Sequence, residues 1–258
     1  MKQLSIVKAG GKIIENRASI NTLIKQFINL PQHKVLVHGG STTANALGEK
    51  MGIPPIMFQG RRITDKPTLD LVTMVYAGLV NKNLIAQLQA QGCNALGLTG
   101  ADLNLIRSEK RPVREVDYGF AGDVKEIDLE MLLNILQIGI TPVFCAITHD
   151  KKGQLLNTNA DTISCVLASR LSASYDVDLV YVFEKKGVLE NPEDDHSLIP
   201  VLDQATYQYL RQQGQIKEGM LPKLDNGFQA LQAGASRVII CQESQIGQEN
   251  PIGTILKL

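Results

Sequence analysis

Six short, uninterrupted apolar runs constrain this chain more than any other feature: LSIV (4–7), VLVH (35–38), ALGL (95–98), TPVFCAI (141–147), DLVYVF (178–183) and SRVIIC (236–241). Such runs are too short for buried helices and too uniformly apolar for strands with one wet face. Between them, stretches at about 19–30, 42–51 and 67–91 carry apolar residues at helical spacing. Short buried strands alternating with helices predict an α/β chain, a three-layer αβα sandwich with a mainly parallel open sheet. The 258 residues suit one large domain or two lobes, with the join near 165–177. Residues 98–127, rich in charge, Gly and Pro, read as a polar hairpin or flap, and 184–197 as a polar loop.

Composition removes several function classes. Lys plus Arg and Asp plus Glu both number 26, so no net positive charge draws the chain to nucleic acid or anionic membrane. No segment approaches the roughly 20 apolar residues of a membrane span, and MKQLSIVKAGG lacks the apolar region of a signal peptide. Cys93, Cys145, Cys165 and Cys241 form no CxxC pair and no Cys/His cluster with ligand spacing. They read as small buried hydrophobes, which predicts a reducing, cytoplasmic setting and no protein-built metal site.

Five motifs carry chemistry. Lys8-Ala9-Gly10-Gly11 follows the first strand, where ligands bind in open α/β sheets. Two glycines let backbone N–H groups approach a phosphate, or simply make a tight turn. His38-Gly39-Gly40-Ser41 repeats the arrangement ahead of a helix, as an anion site or as N-capping, with His38 read as a packed, hydrogen-bonded residue instead of a base. In Gly60-Arg61-Arg62-Ile63-Thr64, an arginine suits bidentate carboxylate binding, or solvation. Asn157-Thr158-Asn159-Ala160-Asp161 opens a helix, either as a cap or as a set of groups that fixes an amide or carboxylate. Gly219-Met220-Leu221-Pro222-Lys223 puts a lysine against the positive end of a helix, a placement that makes sense when an anion is shared with it. Neither the Walker pattern nor GxGxxG is present.

In this order the five motifs resemble the N-acetylglutamate kinases of the amino acid kinase superfamily, over nearly the whole chain from Lys8 to Lys223. The resemblance implies an amino acid kinase-like fold and ATP-dependent phosphorylation of the γ-carboxylate of an N-acylglutamate, with Mg2+ carried on the ATP phosphates. It implies an acylglutamate-binding and dimerisation lobe over 1–170 and an ATP-binding lobe over 171–258. Lys8 and Lys223 would flank the transferring phosphoryl group with Asp161 organising them. Gly10 and Gly11 would meet the γ-phosphate, and Gly39 and Gly40 the substrate. Arg62 and Asn157, with Asn159 nearby, would grip the α-carboxylate. Glu184, Gly187, Gly219 and Met220 would line the nucleotide site.

The chain departs from the family pattern in three places. Ser41 stands where a third glycine is usual, Glu184 where an aspartate is, and Arg61 where the family often has an apolar residue. Arg61 beside Arg62 would suit an acyl group with its own carboxylate, succinyl in place of acetyl. Because the first strand begins within a few residues of Met1, the resemblance further implies an arginine-insensitive homodimer. Other readings are another kinase of the superfamily, acting on aspartate, glutamate, carbamate or a nucleotide, and a non-catalytic ligand sensor.

Overall fold

A computed structural model describes residues 1–191, 193–216 and 219–258. The chain divides into two compact units: a split unit of Met1–Lys34 with Ser164–Leu258, and a central unit of Val35–Ile163. In the split unit, β1 (Lys2–Ala9) is buried over its last six residues. A short α1 (Gly11–Glu15) leads into α2 (Arg17–Ile28), which starts where the Asn16 side chain accepts hydrogen bonds from the N–H groups of Ala18 and Ser19. Helix α2 buries Ile20, Leu23, Ile24 and Phe27, the i, i+3, i+4, i+7 stripe of an amphipathic helix.

The central unit begins with β2 (Lys34–His38) and α3 (Ser41–Lys50). A tight hairpin follows, β3 (Ile56–Phe58) and β4 (Arg61–Ile63), turned by Gln59 and Gly60 at φ of 47° and 72°. Two successive positive φ values match the twist of the flanking strands. Asp65 caps α4 (Lys66–Thr73), which continues through a π-helical turn (Met74–Val80) into α5 (Asn81–Ala90). Then come β5 (Ala95–Leu98), β6 (Ile106–Lys110), β7 (Ala121–Ile127), α6 (Leu129–Gln137), β8 (Thr141–Cys145), β9 (Ile147–His149) and β10 (Leu155–Thr158). Strand β8 lies between β2 and β5, parallel to both. Strands β6, β7, β9 and β10 close into a small barrel. The β6–β7 hairpin is the polar insertion expected at 98–127.

Helix α7 (Ala160–Leu171) precedes β11 (Tyr175–Val182), β12 (Val201–Asp203), α8 (Gln204–Gln212), α9 (Leu221–Gln232), β13 (Arg237–Cys241) and β14 (Gly253–Lys257). The strand order in the split unit is β12–β14–β13–β11–β1, parallel except between β13 and β14. Pairing of β1 with β11 runs from Lys2–Tyr175 to Ala9–Val182. That ladder joins the first 34 residues to the C-terminal stretch, where the sequence had suggested a division near 170.

The six apolar runs are all strands, and the protein is α/β with mostly parallel strands, as expected. One run, 141–147, breaks at Ala146 into β8 and β9. All four cysteines are free and buried. Burial pushes the thiols of Cys145, Cys165 and Cys241 up to about 12, so they stay protonated and inert at neutral pH. Among the described residues no helix is long and apolar enough to cross a membrane.

Candidate functional site

The end of β2 delivers His38, Gly39 and Gly40 to the start of α3. Gly40 is the helix cap and has no side chain to cap with, so the hydroxyls of Ser41–Thr43 belong to the first turn and not to the cap. A Cβ on Gly40 would lie 2.8 Å from the Tyr76 ring, whereas one on Gly39 would meet no described atom within 4 Å. Gly40 is therefore required by close packing, whereas the space beside Gly39 is open.

His38 is fully buried. Its Nδ1 lies 2.7 Å from the Gly39 carbonyl oxygen, and its Nε2 lies 2.9 Å from the Asn81 side-chain amide nitrogen. That amide nitrogen also donates to the Val143 carbonyl at 3.1 Å, and Lys82 donates to Asn81 Oδ1 at 3.2 Å. Burial lowers the His38 pKa to about 4; the Gly39 bond opposes the shift and the Lys82 charge adds to it. His38 is neutral at pH 7.

Arg62 is the buried member of β4. Its guanidinium donates to the Ser41 carbonyl at 3.3 Å and, through a short bond, to Asn45 Oδ1. It also reaches the phenol of Tyr76, whose pKa is raised by burial against the opposing pull of Arg62. Side chains alternate along a strand. Arg61 accordingly faces the other way, into an open cavity of about 590 Å³ with Phe58, Arg111, Arg114 and Tyr118. Arg61 and Arg62 thus stand on opposite faces of β4.

Strand β10 presents Asn157, whose amide donates to Thr64 Oγ1 at 2.9 Å. Asn159 caps α7: its Oδ1 accepts from the N–H groups of Asp161 and Thr162 at 2.7 and 3.2 Å. Asp161 is buried in the first turn of that helix, where the macrodipole favours an anion.

In the split unit, Lys8 is buried near the end of β1, and the Gly10 N–H is tied to the Val182 carbonyl at 3.0 Å. Lys12, one turn on, pairs with Glu184 at 2.7 Å, with both side chains well exposed. Partial burial pushes the Glu184 carboxyl up, but the Lys12 hydrogen bond and the Lys12 and Lys223 charges outweigh it, and the net shift is downward. Gly187 is packed so that a Cβ would lie 2.6 Å from both Leu198 Cδ1 and Thr254 Oγ1. Met220 caps α9, and Lys223 in its first turn donates to the Gly219 carbonyl at 3.0 Å.

These two sets of lysines, glycines and amides stand on strand ends and helix starts. The model of the amino acid kinase family matches residues 3–242. An acetylglutamate kinase of Bacteroides fragilis is 52% identical over 256 residues, covering 99% of this chain and 97% of that one. The acetylglutamate kinase of Methanopyrus kandleri is 35% identical, with coverage of 92% and 94%. The chain belongs to the amino acid kinase family. Within it, its relatives of about half identity are acetylglutamate kinases. The structure of smu.665 from Streptococcus mutans superposes with a TM-score of 0.81 at 25% identity, covering 100% of this chain and 99% of that one.

For a member of this family, the motif residues fall into two sets. His38, Gly39, Gly40, Arg62, Asn157, Asn159 and Asp161 belong to the central unit, and Lys8, Gly10, Gly11, Glu184, Gly187, Gly219, Met220 and Lys223 to the split unit. Sequence reasoning missed the residues that support them. Asn45, Tyr76 and Asn81 carry no motif; the one available signal was an Asn-Lys-Asn break in an otherwise apolar helical stretch. The π-helical turn ending at Val80, directly before Asn81, also leaves no mark in apolar spacing.

Proposed function

We propose that the chain phosphorylates the γ-carboxylate of N-acetyl-L-glutamate with ATP, yielding an acyl phosphate in arginine biosynthesis. The observation that carries the reading is the buried Arg62, held by Asn45 and the Ser41 carbonyl beside the Gly39–Gly40 strand end. A guanidinium fixed in this way presents its remaining donors to a planar carboxylate. Asn157, tied to Thr64, supplies an amide to the same ligand. Neither a succinyl group nor another acceptor of the family is needed to account for these residues.

The split unit fits ATP by its donor set. Lys8 emerges beside a glycine pair whose backbone is tied down, and Lys223 stands at a helix start. ATP brings the phosphoryl group; Lys8, Lys223 and the Gly11 backbone would offset its charge, because the Gly10 N–H is already given to the Val182 carbonyl. Among the described residues no group of three or more His, Cys, Asp or Glu is placed to hold a metal ion. Magnesium would be held by the nucleotide's phosphates. The acceptor carboxylate is ionised at neutral pH, so the reaction needs no general base, and a neutral His38 hydrogen-bonded at both nitrogens is consistent with that. Asp161 places a buried carboxyl in the first turn of α7.

A cytoplasmic homodimer fits the reduced cysteines and the exposed Met74, Leu79 and Leu96 on the helix and strand of the central unit. Sedimentation tests the dimer. The activity is tested by hydroxylamine trapping of the acyl phosphate with acetylglutamate, succinylglutamate, glutamate and aspartate. Turnover confined to acetylglutamate supports the proposal. Turnover only of another acceptor, or of none by folded protein that binds ATP, rejects it.

A further inference from the structure

His38 and Asn81 form a hydrogen-bonded relay whose direction is fixed by elimination. The Val143 carbonyl can only accept, so the Asn81 atom 3.1 Å from it is the amide nitrogen. The second hydrogen of that amide points at His38 Nε2, 2.9 Å away. Nε2 must then be the bare, accepting nitrogen, and the ring proton sits on Nδ1. Nδ1–H in turn donates to the Gly39 carbonyl at 2.7 Å. Lys82, bonded to Asn81 Oδ1, holds the amide in this sense. Gly97 leaves room for it, since a Cβ there would fall 1.9 Å from Asn81 Oδ1.

We propose that Asn81 and His38 are positioning residues for the phosphoryl transfer: the pair locks the Nδ1–H tautomer, which holds the Gly39 carbonyl inward and turns the Gly40 N–H outward as a fixed donor. In a trans peptide the carbonyl and the following N–H point in opposite directions. Pinning one therefore aims the other without any side chain touching the ligand. The π-helical turn ending at Val80 completes the device, because it brings Tyr76 against Gly40 and Asn81 against His38 from one continuous helix. A donor aimed beforehand at developing charge costs no reorganisation during the reaction.

The kinetic part rests on the proposed activity; the tautomer does not. In wild-type protein labelled with ¹⁵N in the imidazole rings, His38 is assigned by the signal lost in His38→Gln. At pH 7 it is expected to show a protonated Nδ1 and a bare Nε2. The opposite tautomer, or an imidazolium, overturns the proposal even if the enzyme is active. In kinetics, Asn81→Leu and His38→Gln should lower kcat by roughly 10²-fold, with KM for acetylglutamate and ATP within about threefold. His38→Asn, whose amide nitrogen overlies Nδ1, should recover to within about tenfold of wild type, because the Gly39 bond survives. Equal losses in His38→Asn and His38→Gln, or a rise in KM in place of a fall in kcat, would refute it. Should Asn81→Leu not fold, the His38 pair and the wild-type spectrum still decide. An inactive wild type with the expected spectrum would reject the activity and leave the relay standing.

Discussion

Acidification from pH 7 to pH 5 should destabilise the folded chain through His38, by an amount that follows from its burial. The ring has a pKa of about 4 in the fold against an ordinary 6.5. Between those values the unfolded chain binds a proton that the folded chain excludes, so stability rises with pH across the window. The contribution is fully present above 6.5 and is lost as pH falls through about 4. The whole gap corresponds to roughly 3 kcal/mol, of which about 2 kcal/mol is lost by pH 5. Burial is the largest cause and the Lys82 charge adds to it; an imidazolium would also put an N–H on Nε2 against the Asn81 amide. Cys145, opposite His38 in the β2–β8 register, has a thiol pushed up to about 12 and stays uncharged throughout, while Tyr76 beside Gly40 has its pKa raised. Urea midpoints of wild type and His38→Asn at pH 7, 6 and 5 isolate the effect, since the carboxylates titrate alike in both. Wild type should lose about 2 kcal/mol more than the variant over that range. Asn81→Asp, which offers Nε2 an acceptor, should flatten the wild-type slope. Parallel pH profiles for wild type and His38→Asn would show that His38 is not held neutral by this network, and the argument would fail.

Arg62→Lys loses the bonds to Asn45 and the Ser41 carbonyl, and should raise KM for acetylglutamate by roughly 10- to 100-fold, measured in the hydroxylamine assay. Gly187→Ala drives a Cβ to 2.6 Å from Leu198 and Thr254, and should lower stability by about 1–3 kcal/mol in a thermal melt. Gly97→Ala must displace Asn81, so its kcat should fall alongside that of Asn81→Leu while its circular dichroism spectrum stays that of wild type. Lys12→Met breaks an exposed pair and should change stability by less than about 1 kcal/mol; a larger loss would mean that the Lys12–Glu184 contact is more rigid than its exposure implies.

The pattern of what sequence revealed follows from where each kind of information is stored. Buried parallel strands write themselves as unbroken apolar runs, because both faces are covered; five of the six runs each fall in one strand, and 141–147 falls in two. Groups that meet ligands through backbone demand glycine, and those that do so through charge demand lysine or arginine. Residues such as Gly39, Arg62 and Lys223 therefore stood out. Short strands with mixed burial, such as β3 and β12, left no such trace, since three residues contain no period to detect. The Arg61–Arg62 pair shows another limit: two letters side by side do not display that residues adjacent along a strand stand on opposite faces.

The residues that orient the site are hidden for a different reason. Only one hydrogen-bond partner of Asn81, Lys82, is near it in sequence; the two that its amide nitrogen meets, His38 and Val143, lie 43 and 62 positions away. A buried amide is tolerated only when its hydrogen bonds are made, so its identity is dictated by two other strands and not by its own helix. That dependence makes the relay testable by single substitutions. An Asn chosen for local helix propensity could become Leu with little consequence, because Leu is the better helix former. An Asn that carries the tautomer of His38 cannot, and the loss should appear in kcat before it appears in the fold.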